Sequence, residues 1–156
     1  MHLHFSDEGT RADLDAILAG YRDGWHVYTC GPTRYMDAVI AAAERQGYPD
    51  DARHLEYFAV PDMPDYVNHP FTLRLARTGR DLLIPADRSA TDVLADAGIH
   101  VDAKCADGIC GVCKCGLVAG AVEHRDFVLS RAQRDGAIIL CQSRAAEPDG
   151  VITVDL

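Results

Sequence analysis

The sequence predicts an α+β chain built from two unlike modules, and three observations carry that prediction. From Leu3 to Phe58, short apolar runs alternate with stretches whose apolar residues recur every three or four positions, the grammar of a parallel sheet with crossover helices. From Phe71 onward the apolar period shortens to two, as in half-buried strands. Four of the six cysteines lie within the eleven positions from Cys105 to Cys115, inside a stretch with neither period.

Leu3–Phe5 reads as a first strand. Thr10 is placed to cap a helix whose apolar stripe runs Leu14, Ile17, Leu18, Tyr21, and Gly20 and Gly24 end it. Trp25–Cys30 is β-branched and aromatic enough to predict a strand buried on both faces. Gly31-Pro32 breaks it, and a second helix follows with Tyr35, Met36, Val39, Ile40 and Ala43 on one face. Gly47-Tyr48-Pro49 closes that helix, and His54–Phe58 is predicted as a third strand. Residues 1–58 are few for a domain, and they contain no glycine-rich phosphate loop. They read as the second half of a parallel α/β domain whose first half is absent.

Residues 59–70 hold three prolines and no periodicity, which predicts an extended, fairly stiff linker. Beyond it, Phe71, Leu73 and Leu75 alternate with Thr72 and Arg74. Thr78-Gly79-Arg80 makes the turn of a hairpin that returns along Asp81–Pro85. Ser89, with Asp92 three positions on, resembles a capping box. Val93, Leu94 and Ala97 form the buried face of that helix, and Gly98 stops it. Gly116–Val122, Ala137–Leu140 and Val151–Asp155 supply the remaining strands. The predicted layout is therefore residues 1–58, a linker over 59–70, and a domain over 71–156.

The balance of 15 basic and 24 acidic residues, net −9, gives a surface that repels nucleic acid and anionic membrane. It favours a partner with a basic docking patch. No apolar run approaches the ~20 residues of a membrane-spanning helix. The N-terminal residues lack the basic start and apolar stretch of a secretory signal, so the expected compartment is the cytoplasm. Clustered thiols in a reducing compartment more often hold metal or carry redox chemistry than form disulfides.

Four residues separate Cys105 from Cys110, two separate Cys110 from Cys113, and Cys141 follows after a further 27. This is the C-x4-C-x2-C…C spacing of plant-type 2Fe-2S sites. Two irons bridged by two sulfides need four thiolates, two per iron; a loop delivers three, and a distant strand end delivers the fourth. Cys105, Cys110, Cys113 and Cys141 are thus the expected ligands, and residues 71–156 a β-grasp ferredoxin-like domain. Gly108 and Gly111 allow the backbone to approach the inorganic sulfides. Hydrogen bonds and burial there set the potential, roughly −400 mV for plant-type sites. A zinc site of four cysteines would use the same thiols, but such sites usually carry two C-x2-C knuckles and a second is missing here. Cys115, two residues past Cys113, reads as a small core residue.

Cys105-Ala-Asp-Gly-Ile-Cys110-Gly-Val-Cys113, Leu117–Asp126 and Leu140-Cys141-Gln-Ser-Arg144 together resemble the C-terminal ferredoxin domain of the phthalate dioxygenase reductase family, vanillate O-demethylase reductase subunits included. Upstream, Val27-Tyr28-Thr29-Cys30-Gly31-Pro32 is similar to that family's C-G-P motif on the nicotinamide side. Leu55-Glu56-Tyr57-Phe58 resembles the strand ending its NAD domain. In the family a barrel binds FMN, a middle domain binds NAD(P)H, and the ferredoxin domain passes electrons to a Rieske-type oxygenase. The resemblance implies that Cys30 and Phe58 stand near nicotinamide and flavin in the complete enzyme, with Gly31 and Pro32 at the nucleotide site. Residues 1–58 would then be the C-terminal half of the NAD-binding domain, and the flavin module and the domain's first half are missing from the chain. His124-Arg125-Asp126 is family-like, without a chemistry that the residues themselves suggest. Two other readings stay open: a stand-alone 2Fe-2S electron carrier with a vestigial α/β extension, and a zinc-dependent interaction module.

Overall fold

Asp13, rather than Thr10, caps the first helix: its carboxylate accepts the N–H of Ala16 at 3.1 Å. In the computed structural model of the protein, which describes residues 9–60 and 63–156, this helix is only α1, Leu14–Leu18. The predicted strand Leu3–Phe5 lies outside the described residues. The chain divides into two compact units, Met1–Ala59 and Val60–Leu156.

In the first unit, β1 (Val27–Cys30) pairs in parallel with β2 (Arg53–Glu56), with Val27 opposite Arg53 and Cys30 opposite Glu56. Helix α2 (Thr33–Arg45) connects them and buries Met36, Val39, Ala42 and Ala43. The small core joins Val27, Val39, Ala43 and Tyr48, with Leu14, Leu18 and Tyr21 packed against it. Asp15 grips the Arg45 guanidinium with both oxygens, at 3.0 and 2.7 Å, and so fastens α1 to α2.

Two expectations are corrected here. The strand around Val27 is not buried on both faces: Val27 and Thr29 point inward, while Tyr28 is 70% and Trp25 47% exposed. A single helix layer covers only one face of a sheet. Tyr35 is half exposed, because the buried stripe of α2 runs through Ala42 and Ala43 instead.

The second unit is a mixed five-stranded sheet in the order β4-β3-β9-β5-β7. β3 (Phe71–Leu75) and β4 (Asp81–Ile84) form the predicted hairpin. β3 runs parallel to β9 (Val151–Val154), which pairs antiparallel with β5 (Lys114–Ala119), and β5 with β7 (Ala137–Ile139). A short ribbon, β6 (Val122–Glu123) with β8 (Arg144–Ala145), stands apart. Helix α3 (Ala90–Asp96) begins at the capping box of Ser89 and Asp92 and lays Ala90 and Leu94 on the sheet; a one-turn α4 (Arg131–Arg134) precedes β7.

Period-two alternation supplies the core: Phe71, Leu73, Ile84, Leu94, Ile138, Ile139, Leu140, Ile152 and Val154 are fully buried. Gly120 (φ +107°) is forced at the turn out of β5, since a Cβ there would meet the Val151 carbonyl at 2.3 Å. The whole is α+β, a small parallel sheet followed by a β-grasp sheet wrapped on one helix. No described helix is long and apolar enough to cross a membrane.

Candidate metal centre

Between α3 and β5 the chain forms a loop without helix or strand, and Cys105, Cys110 and Cys113 project from it. Cys113 is the last loop residue before β5, and Cys141 follows Leu140 just past β7. Because β5 and β7 pair in register, with Lys114 opposite Ile139, the two strand ends deliver Cys113 and Cys141 side by side. Both are buried, whereas Cys105 is half-buried and Cys110 exposed.

The four thiols come two and two: Cys105 interacts with Cys110, and Cys113 with Cys141. Two pairs are what a dinuclear core with two thiolates per iron needs. Burial pushes the Cys105 thiol up, but the N–H of Asp107, the Cys110 thiol and the N–H groups of Ile109 and Cys110 together outweigh it and bring it down to about 7. The Asp107 N–H reaches the Cys105 Sγ at 3.4 Å. For Cys113, hydrogen bonding from the Cys141 thiol dominates over burial and, with backbone N–H groups, brings it down to about 6. Cys141 is pushed up in turn, by Cys113 first and burial second. The pair therefore sheds one proton readily and holds the other; thiolates are the ligating form. Cys115 is buried in the core, and burial pushes its thiol up.

The loop's approach depends on Gly108 (φ +74°). A Cβ there would stand 3.2 Å from both the Arg125 carbonyl and the Gln142 Cγ. Phe127 donates its N–H to the Gly108 carbonyl at 3.1 Å, and the Gln142 amide donates to the Ala106 carbonyl at 2.6 Å. Gly111 also has a positive φ, +71°, facing Val128. Donor type, pairing and this close-packed cradle all fit a 2Fe-2S cluster.

Behind the loop stand residues to which sequence reasoning assigned no role. Arg125 is 7% exposed. Its guanidinium donates to Glu123, to the Asn68 side chain at 2.6 Å and to the Val67 carbonyl at 3.3 Å, and lies 4.3 Å from the Tyr66 ring centroid. Asp126, also buried, accepts the N–H groups of Val128 (3.1 Å) and Leu129 (2.7 Å). Arg144 donates to the carbonyls of His69, Pro85 and Arg88 and lies over Phe71. Arg125 and Asp126 belong to the His124-Arg125-Asp126 triplet; the only sequence signal was a cluster of charges beside apolar residues.

In the first unit, Cys30 ends β1 half-buried, Gly31 (φ +139°) follows, and the Pro32 carbonyl accepts the N–H groups of Tyr35 and Met36 at the start of α2. Phe58 lies two residues past Glu56, the partner of Cys30, and is 88% exposed. These four residues therefore share the C-terminal end of the parallel pair.

Residues 73–146 match the 2Fe-2S iron-sulfur cluster binding domain. The chain is 37% identical over 149 residues to the vanillate O-demethylase oxidoreductase of Pseudomonas sp., covering 93% of this chain and 47% of that protein. The solved structure of phthalate dioxygenase reductase, a modular structure for electron transfer from pyridine nucleotides to a 2Fe-2S cluster, matches at 36% identity and TM-score 0.63. That match covers 94% of this chain and 44% of the other. The ferredoxin domain of NdmD, solved with NdmA from Pseudomonas putida CBB5, matches 56% of this chain at 27% identity and TM-score 0.51. The chain thus spans about half the length of the curated relatives it matches. It aligns with the C-terminal half of phthalate dioxygenase reductase-family proteins and carries a 2Fe-2S iron-sulfur cluster binding domain over residues 73–146.

Proposed function

We propose that Cys105, Cys110, Cys113 and Cys141 ligate one 2Fe-2S cluster, and that the chain acts as the electron-delivering part of an NAD(P)H:FMN:2Fe-2S reductase serving a Rieske-type aromatic oxygenase or demethylase. The observation that carries this is the arrangement of the thiols in two pairs, one on the exposed loop and one at the ends of β5 and β7. The cluster, when bound, supplies one-electron chemistry at low potential, roughly −400 mV for this ligand class. The protein's part is to present the four thiols in two pairs and to keep the Cys113–Cys141 side buried. The Cys105–Cys110 edge stays near the surface, where a partner reaches it.

The donor role rests on the relatives. A flavin and nucleotide module would take a hydride from NAD(P)H onto FMN and release electrons singly to the cluster. Residues 1–58 would complete the nucleotide side of that module, with Gly31 and Pro32 at the nucleotide and Cys30 and Phe58 near the nicotinamide and flavin. A separate acceptor is supported by the likeness to a ferredoxin domain solved together with NdmA.

The test is the visible spectrum of anaerobically purified protein before and after dithionite, with iron and sulfide counted on the same sample. Broad bands that bleach on reduction, with about two irons and two sulfides per chain, are expected. A colourless protein holding about one zinc would sink the proposal. With the cluster present, the chain should oxidise NADH only when a flavoprotein module is added.

A further inference from the structure

The peptide at residues 66–69, near the start of the second unit, is gripped by two buried arginines, and each is rooted in a segment that builds the cluster cradle. Arg125 holds Asn68 and the Val67 carbonyl through its side chain. Its own carbonyl is the atom against which Gly108 packs, 3.2 Å from where a Cβ would stand. Arg144, three residues past Cys141, holds the His69 carbonyl with two of its nitrogens, at 3.3 and 2.9 Å. A prolyl segment needing only to tether a domain would be left in water. Burying two guanidinium groups costs several kcal/mol each unless every donor is satisfied. Here Arg125 is satisfied by the Glu123 carboxylate together with the Asn68 side chain and the Val67 carbonyl, and Arg144 by the His69 carbonyl and the turn after β4.

We infer that Arg125 is a positioning residue that couples residues 66–69 to the cluster loop, with Arg144 as a second anchor. Arg125 fixes the peptide with its side chain and the backbone beside Gly108 with its main chain. A displacement of the peptide is therefore felt at the loop that carries Cys105 and Cys110. Loss of the Asn68 contact shifts the Arg125 guanidinium, and the Gly108 cradle follows. The inference rests on the cluster reading; failure of that reading would show as a wild-type protein without iron and sulfide, before any variant is made.

The experiment uses the cluster-loaded full chain with Asn68→Ala, Arg125→Lys and Arg125→Ala. Two readouts are taken: thermolysin cleavage within residues 60–69, and the g-values and midpoint potential of the reduced cluster. Asn68 meets the Arg125 side chain and belongs to none of the cysteine segments, so a merely local role for it moves only cleavage. Loss of one charge-assisted hydrogen bond corresponds to about tenfold faster cleavage. The coupling predicts in addition that Asn68→Ala shifts the g-values and potential in the same direction as Arg125→Ala, with Arg125→Lys in between. Faster cleavage with wild-type g-values and potential in both Asn68→Ala and Arg125→Lys would overturn it. If Arg125→Ala fails to fold, those two variants decide alone.

Discussion

Cys113 and Cys141 are brought together by a backbone ladder: the Leu140 N–H donates to the Cys113 carbonyl at 3.3 Å, one step beyond the pairing of Lys114 with Ile139. Two proposed ligands separated by 27 residues thus become neighbours through ordinary antiparallel pairing. The more distant half of the cluster site is therefore as rigid as the sheet itself.

That rigidity separates the cysteines by role. Cys141→Ala should abolish cluster retention, leaving iron near zero after gel filtration. Cys115→Ala should keep about two irons per chain and cost only about 1 kcal/mol, because it removes one buried sulfur from the core. Iron and sulfide analysis of the two variants, with urea titration of the second, checks the pair of outcomes. Loss of iron in Cys115→Ala would contradict the assignment of ligands.

Two glycines should fail differently. At Gly120 an added Cβ would stand 2.3 Å from the Val151 carbonyl, between β5 and β9. Gly120→Ala is expected to destabilise the sheet by at least about 3 kcal/mol, seen as a lower midpoint in circular dichroism melts. Gly108→Ala meets the Arg125 carbonyl at 3.2 Å in a loop outside the sheet. It should leave the far-ultraviolet spectrum intact and hasten loss of visible absorbance to a chelator. Equal melting temperatures for Gly120→Ala and wild type would refute the packing argument.

Asp126 accepts two backbone N–H groups while buried to 4% exposure. Asp126→Ala leaves both buried donors without their acceptor, for an expected loss of about 3 kcal/mol. A shift in urea midpoint with an unchanged slope would report it. A variant as stable as wild type would mean that water replaces the carboxylate.

His124 gives the fold a pH dependence of known sign. Burial, followed by the Arg134 charge, holds its imidazole below the ordinary histidine value, against a smaller upward pull from Asp126. A folded-state pKa below the unfolded one means that the unfolded chain binds the proton first. The stability from neutral His124 is therefore complete above the ordinary value of ~6.5 and declines as pH falls toward the folded value. Thermal midpoints at a fixed scan rate, compared at pH 7.5 and pH 5.5, should fall more for wild type than for His124→Gln. Parallel curves would show that this imidazole is not the group responsible.

Much of the second unit was legible in the sequence because its signals are local. Alternation of Phe71, Leu73 and Leu75 placed a strand and its inward face. Ser89 and Asp92 marked a helix start through a bond between neighbours in the chain. The cysteine spacing announced a cluster because the iron core imposes its own dimensions on any chain that wraps it. Helix starts went astray where two capping residues competed, as Thr10 and Asp13 did. Burial went astray at Trp25 and Tyr28, because whether a strand is covered on one face or two depends on layers that its own residues do not encode.

The amino-acid sequence by itself determined most of the strands and helices and the cluster-type cysteine spacing, since propensity, periodicity and ligand chemistry are properties of short stretches. Only the tertiary structure decided that the thiols stand two and two, that Arg125 and Arg144 lie buried on the peptide at residues 66–69, and that Asp126 braces the chain behind the cluster loop. The physical reason is that an arginine or aspartate looks solvated in any sequence. Its burial becomes tolerable only when carbonyls and N–H groups from distant segments, here 57 residues apart for Arg125 and Asn68, converge to satisfy it.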